Sequence, residues 1–302
     1  MISHRANWRS DLKSVQLFAV TESGPLPLPI PDHVNHVNDL YDPLPVGVYT
    51  ALCTFEHNKF LHLEDHLDRL DQSMKLSGWD YTLDRLTLRQ CLHQVCTDYP
   101  MFNARVRLDV LVEIADMLET DSRVLIGLSP FEPLPRSLYE EGVRVGIASK
   151  LSREQPQIKK AAFVFERRKY IEDNPAYYEC LMMDDEGRIL EGLTSNFYGV
   201  RGGVLWTASQ GMLEGIARKI VLHVANDLSI PVRFEPVRLD EIGTLDEAAI
   251  SSSSRAIIPI VQIGDQVVGS GRPGPLTGEL LRAYNAYVRE TIRLAIDETD
   301  ET

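Results

Sequence analysis

At 302 residues and 44% hydrophobic content, the chain can bury a large core, and two domains are the natural expectation. Thirty-one basic residues against 44 acidic ones give a net charge of -13, with no block of lysines or arginines, which argues against nucleic acid or an anionic membrane surface as the main partner. The four cysteines (Cys53, Cys91, Cys96 and Cys180) form no Cys-x-x-Cys pair and have no metal-type histidine spacing, so reduced thiols and no metal site are expected.

The opening Met1-Ile2-Ser3-His4-Arg5-Ala6-Asn7-Trp8 has no apolar core like that of a secretion signal, and no apolar stretch is long enough to span a bilayer. A soluble, cytoplasmic protein is expected. Val15 to Val20 predicts a short strand, and the prolines from Pro25 to Pro31 an extended connection. Val46 to Phe55 is rich in β-branched and aromatic residues, and Glu56-His57-Asn58-Lys59 turns it back into Phe60 to Leu63 as a hairpin. Leu63, Leu67, Leu70 and Met74 then recur at helical spacing, with Gly78 placed to stop the helix. By composition alone, Arg69 on this helix is a solvent-facing charge.

A second helix is predicted over 83–97, followed by an alternating strand from Asn103 to Val112 that carries Arg105 and Arg107. Ser129 to Pro135 reads as a linker between a smaller N-terminal domain, 1–132, and a larger C-terminal one, 133–302. After a strand over Val143 to Ala148 comes Ile158-Lys159-Lys160, where composition gives no ground for choosing between the lysines. Arg188 to Leu190 and Phe197 to Leu205 are apolar runs separated by Glu191-Gly192-Leu193-Thr194-Ser195-Asn196. That pattern reads as strand, tight polar elbow, strand, and sets the Glu191 carboxylate at the end of a sheet.

Gly215 opens a helix whose apolar face is Ile216, Ile220, Val221, Val224 and Leu228. The helix-directed amides after Gly215 make an anion site, worth ~0.3–2 kcal/mol from the dipole alone depending on burial. Ser251-Ser252-Ser253-Ser254-Arg255 lies between two apolar runs, and Gly269 to Thr277 leads into a final helix through Leu281, Tyr284, Tyr287 and Ile292.

The run Asp185 to Phe197, with its turn, strand, Glu-Gly, small polar stretch, Asn and aromatic, resembles the signature of the class-IV aminotransferases. These are the fold-type-IV pyridoxal-phosphate (PLP) enzymes: branched-chain aminotransferases, D-amino-acid transaminases and aminodeoxychorismate lyases. The resemblance extends to His66-Leu67-Asp68-Arg69-Leu70 with Ser73, to Gly215-Ile216-Ala217-Arg218, to the serine run with Pro259, and to the glycine-proline entry of the last helix. Five separated motifs in the right order span Gly47 to Thr277.

The resemblance implies an α+β, two-domain fold-type-IV architecture, with a smaller α/β domain and a larger one built on a barrel-like sheet. It implies that Lys159 carries PLP, since the family's lysine follows an aliphatic residue thirty-odd positions before Glu-Gly (191 − 159 = 32); Lys160 is the fallback. A lysine in that role must give up its proton, which desolvation favours. Glu191 would pair with the ring nitrogen and keep it protonated, so that the ring accepts electrons from a developing carbanion.

Arg69, Ile216, Ala217, Ser253 and Ser254 would hold the phosphate, the arginine by its planar fork. On the substrate side, Tyr49 would line the pocket, and Arg107, ahead of Arg105, would hold the carboxylate. The resemblance assigns no role to Arg255. Thr50 and Phe163-Val164 stand where family members carry Glu and Asn-Tyr. The implied reaction moves an amino group from an amino acid, branched-chain L-amino acids leading, to a 2-oxo acid such as 2-oxoglutarate. D-amino-acid transamination and aminodeoxychorismate lysis on the same scaffold, and a non-enzymatic relic, are the alternatives. Family habit also implies a homodimer.

Overall fold

The computed structural model describes residues 14–30, 34, 44–149, 151 and 155–296. In chain order the first elements are β1 (Gln16–Thr21), β2 (Gly24–Pro27), β3 (Val48–Phe55), β4 (Lys59–Phe60), α1 (Leu63–Leu76), α2 (Arg85–Asp98), β5 (Ala104–Val110) and β6 (Val124–Pro130). There follow α3 (Ser137–Glu140), β7 (Val143–Ala148), α4 (Phe163–Glu172), β8 (Glu179–Met183), β9 (Ile189–Gly192), β10 (Asn196–Arg201), β11 (Val204–Trp206) and α5 (Ile216–Asp227). The last are β12 (Val232–Arg233), β13 (Glu247–Ser252), β14 (Ala256–Ile263), β15 (Gln266–Val267), α6 (Pro275–Thr291) and β16 (Arg293–Leu294).

Among the described residues two compact units result, one within 14–60, 83–132 and 293–296, the other within 61–82 and 133–292. Two segments lie otherwise than a single cut after residue 132 would put them. β16 is hydrogen-bonded to β4 in the smaller unit. α1 belongs to the larger one, where its Ser73 hydroxyl accepts the Lys159 main-chain N–H at 3.3 Å.

The smaller unit is a seven-stranded sheet in the order β16-β4-β3-β5-β6-β1-β2. Its central strand β5 is buried along almost its whole length. α2 packs against β1 and β2 through Leu88, Cys91, Leu92, Val95 and Cys96, and its N-terminus is capped by Asp84, which accepts the Thr87 N–H at 3.1 Å.

In the larger unit the sheet closes on itself. The strands run β10-β13-β14-β7-β8-β9, and β9 pairs back onto β10 to complete a six-stranded ring. The contacts β14–β7 and β7–β8 are parallel, which the intervening helical connections permit; the rest of the ring is antiparallel. β-Branched and aromatic side chains such as Val145, Phe197, Ile250, Ile258 and Ile260 belong to one buried cluster, the expected composition for strands buried on a face.

The apolar run predicted from Phe197 to Leu205 as one strand is a hairpin. Gly202 (φ 58°) and Gly203 (φ 75°) both take the left-handed backbone that a tight two-residue turn between strands demands, and Arg201 pairs with Val204. α1 ends as Gly78 predicts: at φ 74° its N–H reaches the Lys75 carbonyl, while Trp79 N–H reaches that of Met74. Among the described residues no helix is long and apolar enough to cross a membrane.

Candidate active site

Asn196 is the point at which the site's segments meet. Across the sheet it stands opposite Glu191 on β9 and opposite Ser251 on β13, so three separated motifs fall in one row. Between Glu191 and Asn196 the chain turns tightly, closed by the Gly192 N–H donating to the Ser195 carbonyl at 2.8 Å. A Cβ on Gly192 would lie 2.3 Å from Ser195 Oγ and 2.7 Å from Glu179 Oε1, which is why glycine follows the glutamate. Glu191 is only 2% exposed, and its Oε2 accepts the Leu213 N–H at 3.1 Å.

Leu213 belongs to the approach to α5. Its carbonyl receives Asn196 Nδ2 at 2.9 Å, so the elbow and the helix entry share two hydrogen bonds. Gly215 is the N-cap, and Ile216 and Ala217 are the first two helical residues, both buried. Their amides have no acceptor within the helix, the arrangement that receives an anion. A Cβ on Gly215 would come within 2.2 Å of Asn196 Oδ1.

A second group of the candidate residues is cationic. His66 on α1 is 1% exposed, and its Nδ1 lies 3.3 Å from Arg69 Nη2. Burial, followed by the charges of Arg69, Lys159, His62 and Lys219, holds its pKa well below the usual histidine value. The neutral ring accepts from the guanidinium and marks the concentration of positive charge around it. Lys159 is half-buried after the buried Ile158, whereas Lys160 is exposed. Lys219 on α5 reaches Asp65 on α1 at 2.8 Å and ties the two helices.

Ser253 and Ser254 occupy the turn between β13 and β14, half-buried; Ser251 and Ser252 are not a loose loop but the end of β13. Ser251 Oγ bonds the buried Tyr198 hydroxyl at 2.8 Å. Arg255, unassigned by motif, turns inward: Nη1 pairs with Glu179 Oε2 at 2.8 Å and Nη2 donates to the Thr194 carbonyl at 3.0 Å.

Tyr49 and Arg107 lie in the smaller unit, on β3 and β5. The guanidinium carbon of Arg107 stands 4.6 Å from the Tyr49 ring centre. Arg107 also donates to both oxygens of Asp109 at 2.8 Å, and the two residues are 2% and 0% exposed. The carboxylate that Arg107 meets in this structure is therefore its own chain's.

In the larger unit the fold thus joins Glu191 to the start of α5 through Leu213 and Asn196, sets Ser251 in the same row, and puts Arg69 and Lys159 beside His66. Sequence reasoning missed the linking residues, Asn196, His66 and Glu179. Asn196 and His66 were visible as motif members; nothing local pointed to Glu179. The donor set fits a cofactor with a basic ring nitrogen at one end and a phosphate at the other: a buried carboxylate for the first, helix amides, hydroxyls and guanidinium for the second. Among the described residues no group of three or more His, Cys, Asp or Glu could hold a metal ion.

Comparison with known proteins agrees in class. The fold is that of the fold-type-IV aminotransferases: the structure of a branched-chain aminotransferase of Thermoproteus uzoniensis superposes with a TM-score of 0.73 at 21% identity, covering 93% of this chain and 99% of that one. A protein of Methanocaldococcus jannaschii provisionally named a branched-chain-amino-acid aminotransferase is 27% identical over 256 residues, 79% of this chain and 85% of that one. The aminodeoxychorismate lyase of Bacillus subtilis is 25% identical over 258 residues, 82% and 87% of the two chains. The sequence pattern of the family amino-transferase class IV matches residues 47–263. The chain belongs to that family of PLP-dependent enzymes.

Proposed function

We propose that the protein is a PLP-dependent aminotransferase that moves an amino group between an amino acid, branched-chain L-amino acids first, and a 2-oxo acid such as 2-oxoglutarate. Bound PLP would supply a carbonyl carbon for the amine and a ring that takes up the electron pair released at the substrate α-carbon. Lys159 would anchor it and, once displaced by substrate amine, carry the proton from the α-carbon to the cofactor's carbonyl-derived carbon. Glu191 would hold the proton on the ring nitrogen. Arg69, the amides of Ile216 and Ala217, and Ser253 with Ser254 would grip the phosphate and fix the reacting bond.

The observation that carries this reading is the meeting of Glu191, Leu213 and Asn196, which puts a buried acid next to a helix N-terminus. The branched-chain preference rests on the relatives' names, the C-terminal motif and the apolar character of Tyr49, Phe55 and Met212. Tyr49 and Arg107 would serve the substrate side, Arg107 with its Nε and Nη2 already donating to Asp109. A homodimer in the cytoplasm fits the family pattern and the acidic, cysteine-reduced composition.

The test is direct. Added PLP should give the purified chain a visible absorbance band, and L-valine with 2-oxoglutarate should turn over faster than D-alanine or than lysis of aminodeoxychorismate. No band removes the enzyme reading; a band with a faster D-alanine or lyase reaction replaces the substrate class.

A further inference from the structure

Arg255, 15% exposed, and the buried Glu179 form an ion pair that the proposed reaction does not use. The pair sits between two loops that it does use. Arg255 Nη1 meets Glu179 Oε2 at 2.8 Å, its Nη2 meets the Thr194 carbonyl at 3.0 Å and also the Thr194 hydroxyl, and its Nε donates to Ser252 Oγ at 2.8 Å. The other oxygen of Glu179 accepts the Thr194 hydroxyl at 2.9 Å and also the Thr194 N–H. From outside, the Tyr139 hydroxyl donates to the Arg255 carbonyl at 3.0 Å. Every arm of the guanidinium is thus occupied by β8, by the elbow that begins at Glu191, or by Ser252 at the end of β13, while Arg255 itself belongs to the turn that contains Ser253 and Ser254.

Taking two charges out of water is costly, and such a pair is weak as a stabiliser compared with apolar packing of equal volume. What it provides is geometry, because a planar fork fixes two partners in direction as well as distance. We infer that Arg255 is a positioning residue: with Glu179 it locks the Glu191 elbow to the serine turn, so that the ring end and the phosphate end of the bound cofactor are held at one fixed separation. This rests on the PLP reading above. The consequence concerns a ligand that spans both ends. Uncoupling the loops penalises PLP, which must engage both at once, more than pyridoxal, which lacks the phosphate.

The experiment compares the wild-type chain with Arg255→Met/Glu179→Gln, in which no buried charge is left unmatched, and with Arg255→Lys. Dissociation constants for PLP and pyridoxal are read from visible absorbance and protein fluorescence, beside melting temperature and far-UV circular dichroism without ligand. The double variant is expected to fold, to weaken PLP by about tenfold or more, and to change pyridoxal by less than about threefold; Arg255→Lys, which keeps charge but not the fork, falls between. Equal weakening of both ligands, or an unchanged PLP constant in a folded variant, would overturn the positioning role while leaving the PLP reading intact. A wild-type chain that binds neither ligand removes both. If the double variant does not fold, the pyridoxal-to-PLP ratio of Arg255→Lys decides the matter alone, an unchanged ratio counting against the inference.

Discussion

The Leu213 N–H donates to Glu191 Oε2 at 3.1 Å, and this one bond joins the carboxylate of the elbow to the segment that becomes α5. The acid is thereby held by the same backbone that presents the helix amides. Glu191→Gln keeps an acceptor for Leu213 and removes the charge. We expect it to fold with an unchanged melting temperature, to keep PLP affinity within about threefold, and to lose about 10²–10³-fold in kcat, the size of effect seen when a preorganised electrostatic partner is removed. Steady-state kinetics beside a PLP titration check it; normal turnover would remove Glu191 from the chemistry.

The two adjacent lysines are separated by their surroundings. Lys159 is half-buried, its N–H on Ser73 Oγ and its charge felt by His66; Lys160 is exposed. Lys159→Ala is expected to lose about 10²–10⁴-fold or more in turnover, the scale of a positioned acid-base group. Lys160→Ala should retain near-normal rates. Borohydride reduction followed by peptide mapping gives an independent check, because the label should fall on Lys159.

Much of this was legible in the sequence, for local reasons. The elbow, the capping glycine of α5 and the α1 stop at Gly78 each depend on a few consecutive residues, and a few consecutive residues suffice to read them. The hairpin at Gly202-Gly203 was equally local, and the glycine pair was its signal. The Arg107–Asp109 pair went unread although its signal was local, since residues two apart on a strand share a face. What could not be read is contact across the ring. Arg255 and Glu179 are 76 positions apart, and the sheet order, with β7 between β14 and β8, brings them together. The placement of α1 in the larger unit depends likewise on partners such as Lys159 and Lys219, far along the chain.

Breaking the Arg107–Asp109 pair tests its structural weight. Both groups are desolvated and their contact is bidentate, so Asp109→Ala takes a two-point carboxylate partner from a buried cation. The expected cost is about 3–5 kcal/mol, with Arg107→Met/Asp109→Leu recovering most of it. Urea unfolding of the three proteins measures this directly. Single and double variants of equal stability would show that the pair carries no such weight.

Gly215 occupies a position where a side chain has nowhere to go. Its backbone (φ −72°) suits any residue, but an added Cβ would meet Asn196 Oδ1 at 2.2 Å. Asn196 is held by its bond to the Leu213 carbonyl and cannot retreat without breaking it. Gly215→Ala should therefore cost about 1–3 kcal/mol of stability through the lost bond and the crowding, and should weaken PLP more than pyridoxal. Calorimetric melting and the same pair of titrations test it; an unaltered melting temperature would mean that the crowding is relieved elsewhere.

The last prediction concerns acid. His66 is buried and neutral, and its pKa in the folded chain is depressed, first by burial and then by Arg69, Lys159, His62 and Lys219. Below the unfolded value of about 6.5 the unfolded chain takes up a proton that the folded one refuses, so stability falls as pH drops through that point and continues to fall until the folded pKa is reached. The slope from this one group can approach 1.4 kcal/mol per pH unit. His66→Gln, which can still accept from Arg69 but cannot protonate, should flatten the stability curve between pH 7 and 5. PLP, by bringing negative charge to the cation cluster, should make the fall shallower in the wild-type protein. Melting temperature against pH, for both proteins with and without PLP, reads all four cases; a wild-type curve as flat as the variant's would mean that His66 does not titrate as its surroundings require.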